Sequence, residues 1–241
     1  MNRDSDENGR GLGFAFDMDG TLLLGEETGF PAGNGAVESA LAARRRAPER
    51  GGEGLVAGAY RFTTTGAGAF VLSKREQIQV AMALAGLPPD EEEAERLLRL
   101  FLERALPHRH PDPEAAEVLE TLRARGHRVG IATAAPADVA EAEVRASGLG
   151  GRIDFLFTLR EAGAPKGTPG YARGLRRTAG DGPLVMVGDS EADILTGRLA
   201  GATTVLVERR PYAGLEPDHR VRRLQELLAL AGELALRAAA R

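Results

Sequence analysis

Asp17 and Asp19 stand two residues apart at the end of the apolar run Leu12 to Phe16, and Gly20 and Thr21 follow at once. Two carboxylates this close repel unless a proton or a cation sits between them. In extended backbone residues i and i+2 point the same way, so both acids would be aimed at the mouth beyond the strand's carboxyl end, where α/β proteins bind ligands. An Asp-Gly turn between strands needs neither the second acid nor the buried run before it. A second acidic group closes another apolar run: Val185-Met186-Val187 leads into Gly188-Asp189-Ser190-Glu191-Ala192-Asp193. The i, i+4 spacing of Asp189 and Asp193 puts both carboxylates on one side of a first helical turn. Asp189 or Ser190 could merely cap that helix. A hard divalent cation such as Mg2+ takes oxygen ligands and keeps several waters, so a few carboxylates from two strand ends suffice to hold it. Thr133 and Lys166 fall at comparable places, one at the end of a predicted strand and one before a predicted helix.

The elements that must position these groups alternate. Val129 to Thr133, Ile153 to Phe157, Leu184 to Val187 and Thr203 to Val207 are short apolar strand candidates, and Leu12 to Phe16 suits a strand buried on both faces. Between them the pattern predicts helices over Pro136 to Ser147, Thr168 to Thr178 and Glu191 to Ala200, and a leucine-rich helix over about Val221 to Arg237. Strands alternating with helices predict a parallel sheet covered on both faces, a three-layer, Rossmann-like α/β core.

Residues 24 to 108 break this rhythm. A glycine-rich, irregular first part, with Gly51-Gly52 and Gly66-Ala67-Gly68, precedes two amphipathic helices, Lys74 to Ala85 and Asp90 to Ala105. An excursion this long should have structure of its own, so the chain divides into a core of residues 1–24 and 109–241 and an inserted, mainly helical cap of residues 25–108 standing over the strand ends. The next core helix is expected over Pro113 to Arg125.

Composition narrows the classes of function. Acids and bases nearly balance at a net charge of −4, which gives no basic surface for nucleic acid. There is no cysteine, so disulfides and thiolate metal sites are excluded. The opening residues MNRDSDENGR are polar and read as a frayed tail, with no apolar stretch of secretory or membrane-spanning length behind them. The expectation is a cytoplasmic enzyme, monomer or homodimer, that meets neither membrane nor nucleic acid.

Taken together, the four sites resemble the motifs of the haloacid dehalogenase superfamily, in its phosphatase branch. Asp17-Met18-Asp19-Gly20-Thr21 matches the first motif, Thr133 after Gly130-Ile131-Ala132 the second, Lys166 in Ala164-Pro165-Lys166-Gly167-Thr168-Pro169 the third, and Gly188 to Asp193 the fourth. The cap's place between the first two motifs resembles the helical cap of phosphoglycolate-phosphatase-like members. The resemblance implies that Asp17 attacks phosphorus to form an aspartyl-phosphate and that Asp19 protonates the leaving alkoxide and later takes a proton from water. It implies Mg2+ held by Asp17, the main-chain carbonyl of Asp19, and Asp189. Thr133 and Lys166 would hold the transferring oxygens, and Asp193 would fix Lys166 or a metal-bound water. The substrate implied is a small phosphorylated molecule, with phosphoglycolate as the family's example.

Lys166 and Lys74 are the chain's only lysines among many arginines. A compact ammonium fits a crowded phosphate site where a planar guanidinium does not, which supports Lys166. Lys74, opening a cap helix, reads as a surface residue. Two departures stand out: Ala134 follows Thr133 where many relatives carry a polar group, and Gly-Thr-Pro follows Lys166 in place of Pro-x-Pro. Asp19 argues against true dehalogenases, whose halide leaves without a proton, and against phosphonate-cleaving relatives. A sugar phosphomutase and a catalytically silent binding protein of the same fold remain the alternatives. In the cap, Thr63 to Gly68 reads as a mobile loop or a plain turn, and Arg44-Arg45-Arg46 as a solvated run or an acidic-substrate contact. His108 and His110, among prolines, read as a linker.

Overall fold

The computed structural model describes residues 11–44 and 72–240. Six parallel strands form one sheet: β1 (Gly13–Phe16), β4 (Arg128–Ala132), β5 (Phe155–Phe157), β6 (Leu184–Gly188), β7 (Thr203–Val207) and β8 (His219–Val221), in the order β5-β4-β1-β6-β7-β8. The pleat of β1 divides two cores. Phe14 and Phe16 face one way with Val129, Ile131, Val185, Val187, Val205 and Val207. There they meet α4 (Ala115–Ala124), α5 (Ala137–Ala146) and the C-terminal α9 (Leu227–Ala239). Ala15 faces the other way with Ala132 and Met186, against Tyr171 and Leu175 of α7 (Pro169–Ala179). On that side α8 (Glu191–Leu199) approaches closely at Gly197, where a Cβ would lie 2.9 Å from Met186 Cβ. A single turn, α6 (Leu159–Ala162), precedes α7.

Three helices, α1 (Glu26–Arg44), α2 (Lys74–Leu84) and α3 (Glu91–Ala105), share a separate apolar cluster. Its members are Val37 and Leu41 of α1, Ile78 and Met82 of α2, and Leu97 and Phe101 of α3. Among the described residues, the core supplies one buried side chain to it, Val139 of α5. Two short antiparallel strands, β2 (Leu23–Leu24) and β3 (His110–Pro111), join this unit to the sheet.

The expected strands and helices of the core are present within one or two residues, with three corrections. The start of the excursion is not irregular: residues 26–44 form a 19-residue helix despite Pro31 and three glycines. Two of the glycines are there for packing, since a Cβ on Gly33 would lie 2.6 Å from the Phe101 ring and one on Gly29 3.0 Å from the Ala105 carbonyl oxygen. Their absence of side chain lets α1 lie against α3. The leucine-rich helix begins at Leu227 and not near Val221, because residues 219–221 pair with β7 as the sheet's edge and a 3-10 turn over Leu224–Glu226 intervenes. Lys74 is not on the surface, as its residue is 3% exposed. Gly51-Gly52, Arg45, Arg46 and Thr63 to Gly68 lie outside the described residues; Arg44 forms an ion pair with Glu93. Phe101 is fully buried between α1 and α2, so Phe101→Ala is expected to cost about 3–5 kcal/mol, read as a lower denaturant midpoint.

Candidate active site

Because β4, β1 and β6 are parallel neighbours, their carboxyl ends release Thr133, Asp17 and Asp189 side by side. Asp17 continues β1, its N–H donating to the Val187 carbonyl at 2.7 Å. The chain then turns at Gly20, whose φ of 74° is left-handed, and a Cβ there would lie 2.5 Å from Asp189 Oδ2. Only glycine brings the two loops this close.

Lys166 reaches the centre from the loop before α7. Gly167 (φ 81°) turns the chain and donates its N–H to Thr196 Oγ1 at 2.9 Å, Thr168 caps α7 through Tyr171 N, and Pro169 takes the first helical turn. Gly-Thr-Pro is therefore a turn, a cap and a helix start in succession. The Lys166 ammonium contacts Asp17 Oδ1 at 2.5 Å, Asp193 Oδ1 at 2.6 Å and the Ala132 carbonyl at 2.7 Å. Asp193 is fully buried, and its Oδ2 accepts the N–H and hydroxyl of Ser190 at 2.9 and 2.6 Å. A Cβ on Gly188 would lie 2.2 Å from Asp193 Cγ, so that glycine makes room for the carboxylate. Thr133 is also fully buried. Its Oγ1 accepts the Ala135 N–H at 3.0 Å, and its carbonyl accepts the Tyr171 hydroxyl at 3.0 Å.

One oxygen each from Asp17, Asp189 and Asp193 lie within 4.8 Å of one another. Burial raises the Asp17 carboxyl well above its ordinary value, the Asp193 charge adds to this, and Lys166 opposes it. Burial and Asp193 also raise Asp189, against Arg210, which pairs with it at 3.0 Å. Burial opposes the Lys166 charge, but Asp17 and Asp193 outweigh it and hold the ammonium protonated. Buried carboxylates that repel one another, with only oxygen donors on offer, are what a hard divalent cation relieves. The residues fit Mg2+.

Asp19 sits apart from this cluster, lining a cavity of about 250 Å3 between the sheet's end and the three-helix unit. Phe30, Pro31, Phe101, Ala134, Pro136 and Val139 form its apolar wall. Asn34 and Lys74 line it too, the Lys74 ammonium donating to Asn34 Oδ1 at 2.8 Å and lying 4.5 Å from the Phe101 ring centroid. Burial pulls Lys74 down to about 8, with Asp138 opposing.

Sequence reasoning missed Arg109, whose guanidinium binds Asp19 together with Glu143 at 2.6 Å and Glu26 at 3.3 Å. Its prolines and histidines mark a linker and nothing local shows its partners. Glu143 did carry a signal, an acid four residues after buried Val139 on the apolar stripe of α5. Burial pushes it up to about 7, with Asp19 adding and Arg109 opposing.

A parallel α/β sheet whose strand ends gather carboxylates and one lysine, beneath a helical unit that closes a cavity, defines a hydrolase of the haloacid dehalogenase type. The model of that family, haloacid dehalogenase-like hydrolase, matches residues 13–201, and the chain belongs to it. It is 29% identical to phosphoglycolate phosphatase of Rhodospirillum rubrum over 83% of this chain and 82% of that protein. It is 28% identical to the pyrophosphatase PpaX of Bacillus velezensis over 48% of this chain, a match spanning 57% of that relative's length. Among solved structures, 2-haloacid dehalogenase from Pseudomonas syringae pv. tomato superposes with a TM-score of 0.68 at 23% identity, covering 92% of this chain and 98% of that one. That likeness is one of fold.

Proposed function

We propose that this hydrolase is a Mg2+-dependent phosphatase that cleaves a small phosphate monoester through an aspartyl-phosphate on Asp17. The observation that carries the reading is a second carboxylate, Asp19, on the wall of the cavity where a leaving group would sit. An alkoxide needs a proton to depart and a halide does not. This separates a phosphatase from the dehalogenases that share the fold.

In the first half of the reaction an Asp17 oxygen forms a bond to phosphorus as the ester P–O bond breaks, and the Asp19 carboxyl gives its proton to the departing oxygen. In the second, water attacks the same phosphorus, its proton passes to Asp19, and the bond to Asp17 breaks. Lys166, already between Asp17 and Asp193, supplies a fixed positive charge for the phosphoryl oxygens, and the Thr133 hydroxyl retains a proton to donate because its oxygen accepts from Ala135. Mg2+ would be held by Asp17, Asp189 and the Asp19 carbonyl, and would neutralise phosphate charge in front of the nucleophile. Asp193 serves by holding Lys166.

The cavity wall suits a compact leaving group. Phosphoglycolate, the ester in the name of the R. rubrum relative, carries one carboxylate beyond its ester oxygen, and Lys74 is a cation among the described residues that line the cavity. The test is phosphate release from a panel of small esters, with Mg2+ and with a chelator. Metal-dependent turnover that favours short, acidic alcohols supports the reading. A folded protein that releases halide from 2-haloacids and phosphate from none of the esters refutes it.

A further inference from the structure

We infer that Arg109 is the positioning residue of Asp19, and that through it the acid's orientation is tied to both connections between the core and the helical unit. The inference rests on the phosphatase reading above.

The Arg109 side chain is 2% exposed, and its three nitrogens meet three carboxylates from three segments. Nη2 binds Asp19 Oδ1, in the loop after β1. Nη1 lies 3.3 Å from Glu26, the first residue of α1 on the outgoing connection. Nε donates to Glu143 on core helix α5 at 2.6 Å. Arg109 itself belongs to the returning connection, one residue before β3. The chain makes room for it: a Cβ on Gly29 would lie 2.9 Å from Arg109 Cδ, and the Phe30 ring stacks 5.1 Å from the guanidinium carbon.

A buried arginine among carboxylates is weak as a stabilising device, because apolar residues of similar volume often do as well. Its distinctive property is the planar fork, which fixes the direction of every partner it grips. By binding Oδ1 of Asp19 it anchors that oxygen and leaves Oδ2 for the substrate oxygen. Glu143 in turn fixes the fork, held by burial and with its Oε2 facing no hydrogen-bond partner among the described residues. A shift of either connection moves Glu26 or Arg109 and is transmitted to the acid.

A positioning residue for a proton donor matters in proportion to how much the leaving group needs the proton. The experiment compares kcat/KM, which reports the first phosphoryl transfer, for p-nitrophenyl phosphate and for an unactivated alkyl phosphate. Wild type, Arg109→Gln, Arg109→Lys and Glu143→Gln are assayed after circular dichroism has shown each to be folded. General acid catalysis is worth about 10²–10⁴-fold, so Arg109→Gln should lose about 10²-fold on the alkyl ester and under about threefold on p-nitrophenyl phosphate. Arg109→Lys should fall in the same selective way, because it keeps the charge and loses the fork. Glu143→Gln should show the same selectivity at smaller size, and it serves alone if the Arg109 variants do not fold. Equal losses on both esters, or no loss on either, overturn the inference. A wild-type protein that hydrolyses neither ester overturns the phosphatase reading, and this one with it.

Discussion

Asp17→Asn is expected to abolish phosphate release, by about 10³-fold or more, the scale on which loss of a nucleophile acts. The amide keeps the shape of the carboxylate and cannot form the bond to phosphorus. The fold should survive, and its metal-free stability should hold or rise. Burial and the charges of Asp193 and Asp19 disfavour the charge of Asp17, and Lys166 compensates. Removing that charge relieves the desolvation and the repulsion while Asp193 keeps the lysine paired. Activity lost with stability retained is the signature of a site that holds a costly charge for chemistry. The paired measurement is initial rate and denaturant midpoint, on the same protein preparations.

Lys166→Met should lose both. The ammonium bridges Asp17 and Asp193 and grips the Ala132 carbonyl, so its removal leaves two carboxylates facing each other without a cation. Breaking a buried pair from one side costs about 3–5 kcal/mol. Loss of a fixed charge aimed at the transferring oxygens should lower kcat about 10²–10³-fold. Mg2+ should return part of the lost stability, since a cation that binds only the folded state stabilises it by mass action. The midpoint of Lys166→Met is therefore expected to rise with added Mg2+ by more than the wild-type midpoint does. Lys166→Arg should not restore activity, because the side chain is 4% exposed in a space shaped for an ammonium.

How much of this was legible in the sequence depended on whether the cause was local. Five strands of the sheet showed because each is a short apolar run leading into a polar residue, while β8, His219–Val221, is no such run and did not; Asp17 and Asp189 showed because acids at such ends have no packing reason. Lys166 showed by its place before a predicted helix and by its match to the third motif, with the rarity of lysine as added support. Helix α1 did not show, since Gly29, Gly33 and Pro31 argue against a helix in isolation, and the two glycines are explained only by close packing on Ala105 and Phe101. Lys74 looked exposed because it opens a cap helix. Its burial comes from Asn34 and Phe101, partners distant in the chain. Arg109 is the extreme case, with partners 90, 83 and 34 residues away.

Asp17 as nucleophile is tested by quenching the protein in acid during turnover of a phosphate ester with Mg2+ and locating the phosphoryl group by peptide mass spectrometry. A hydroxylamine-sensitive phosphoryl group is expected on the peptide containing Asp17, absent when Mg2+ is chelated and absent in Asp17→Asn. Phosphate released at full rate with the label on another residue, or from Asp17→Asn itself, would contradict that role.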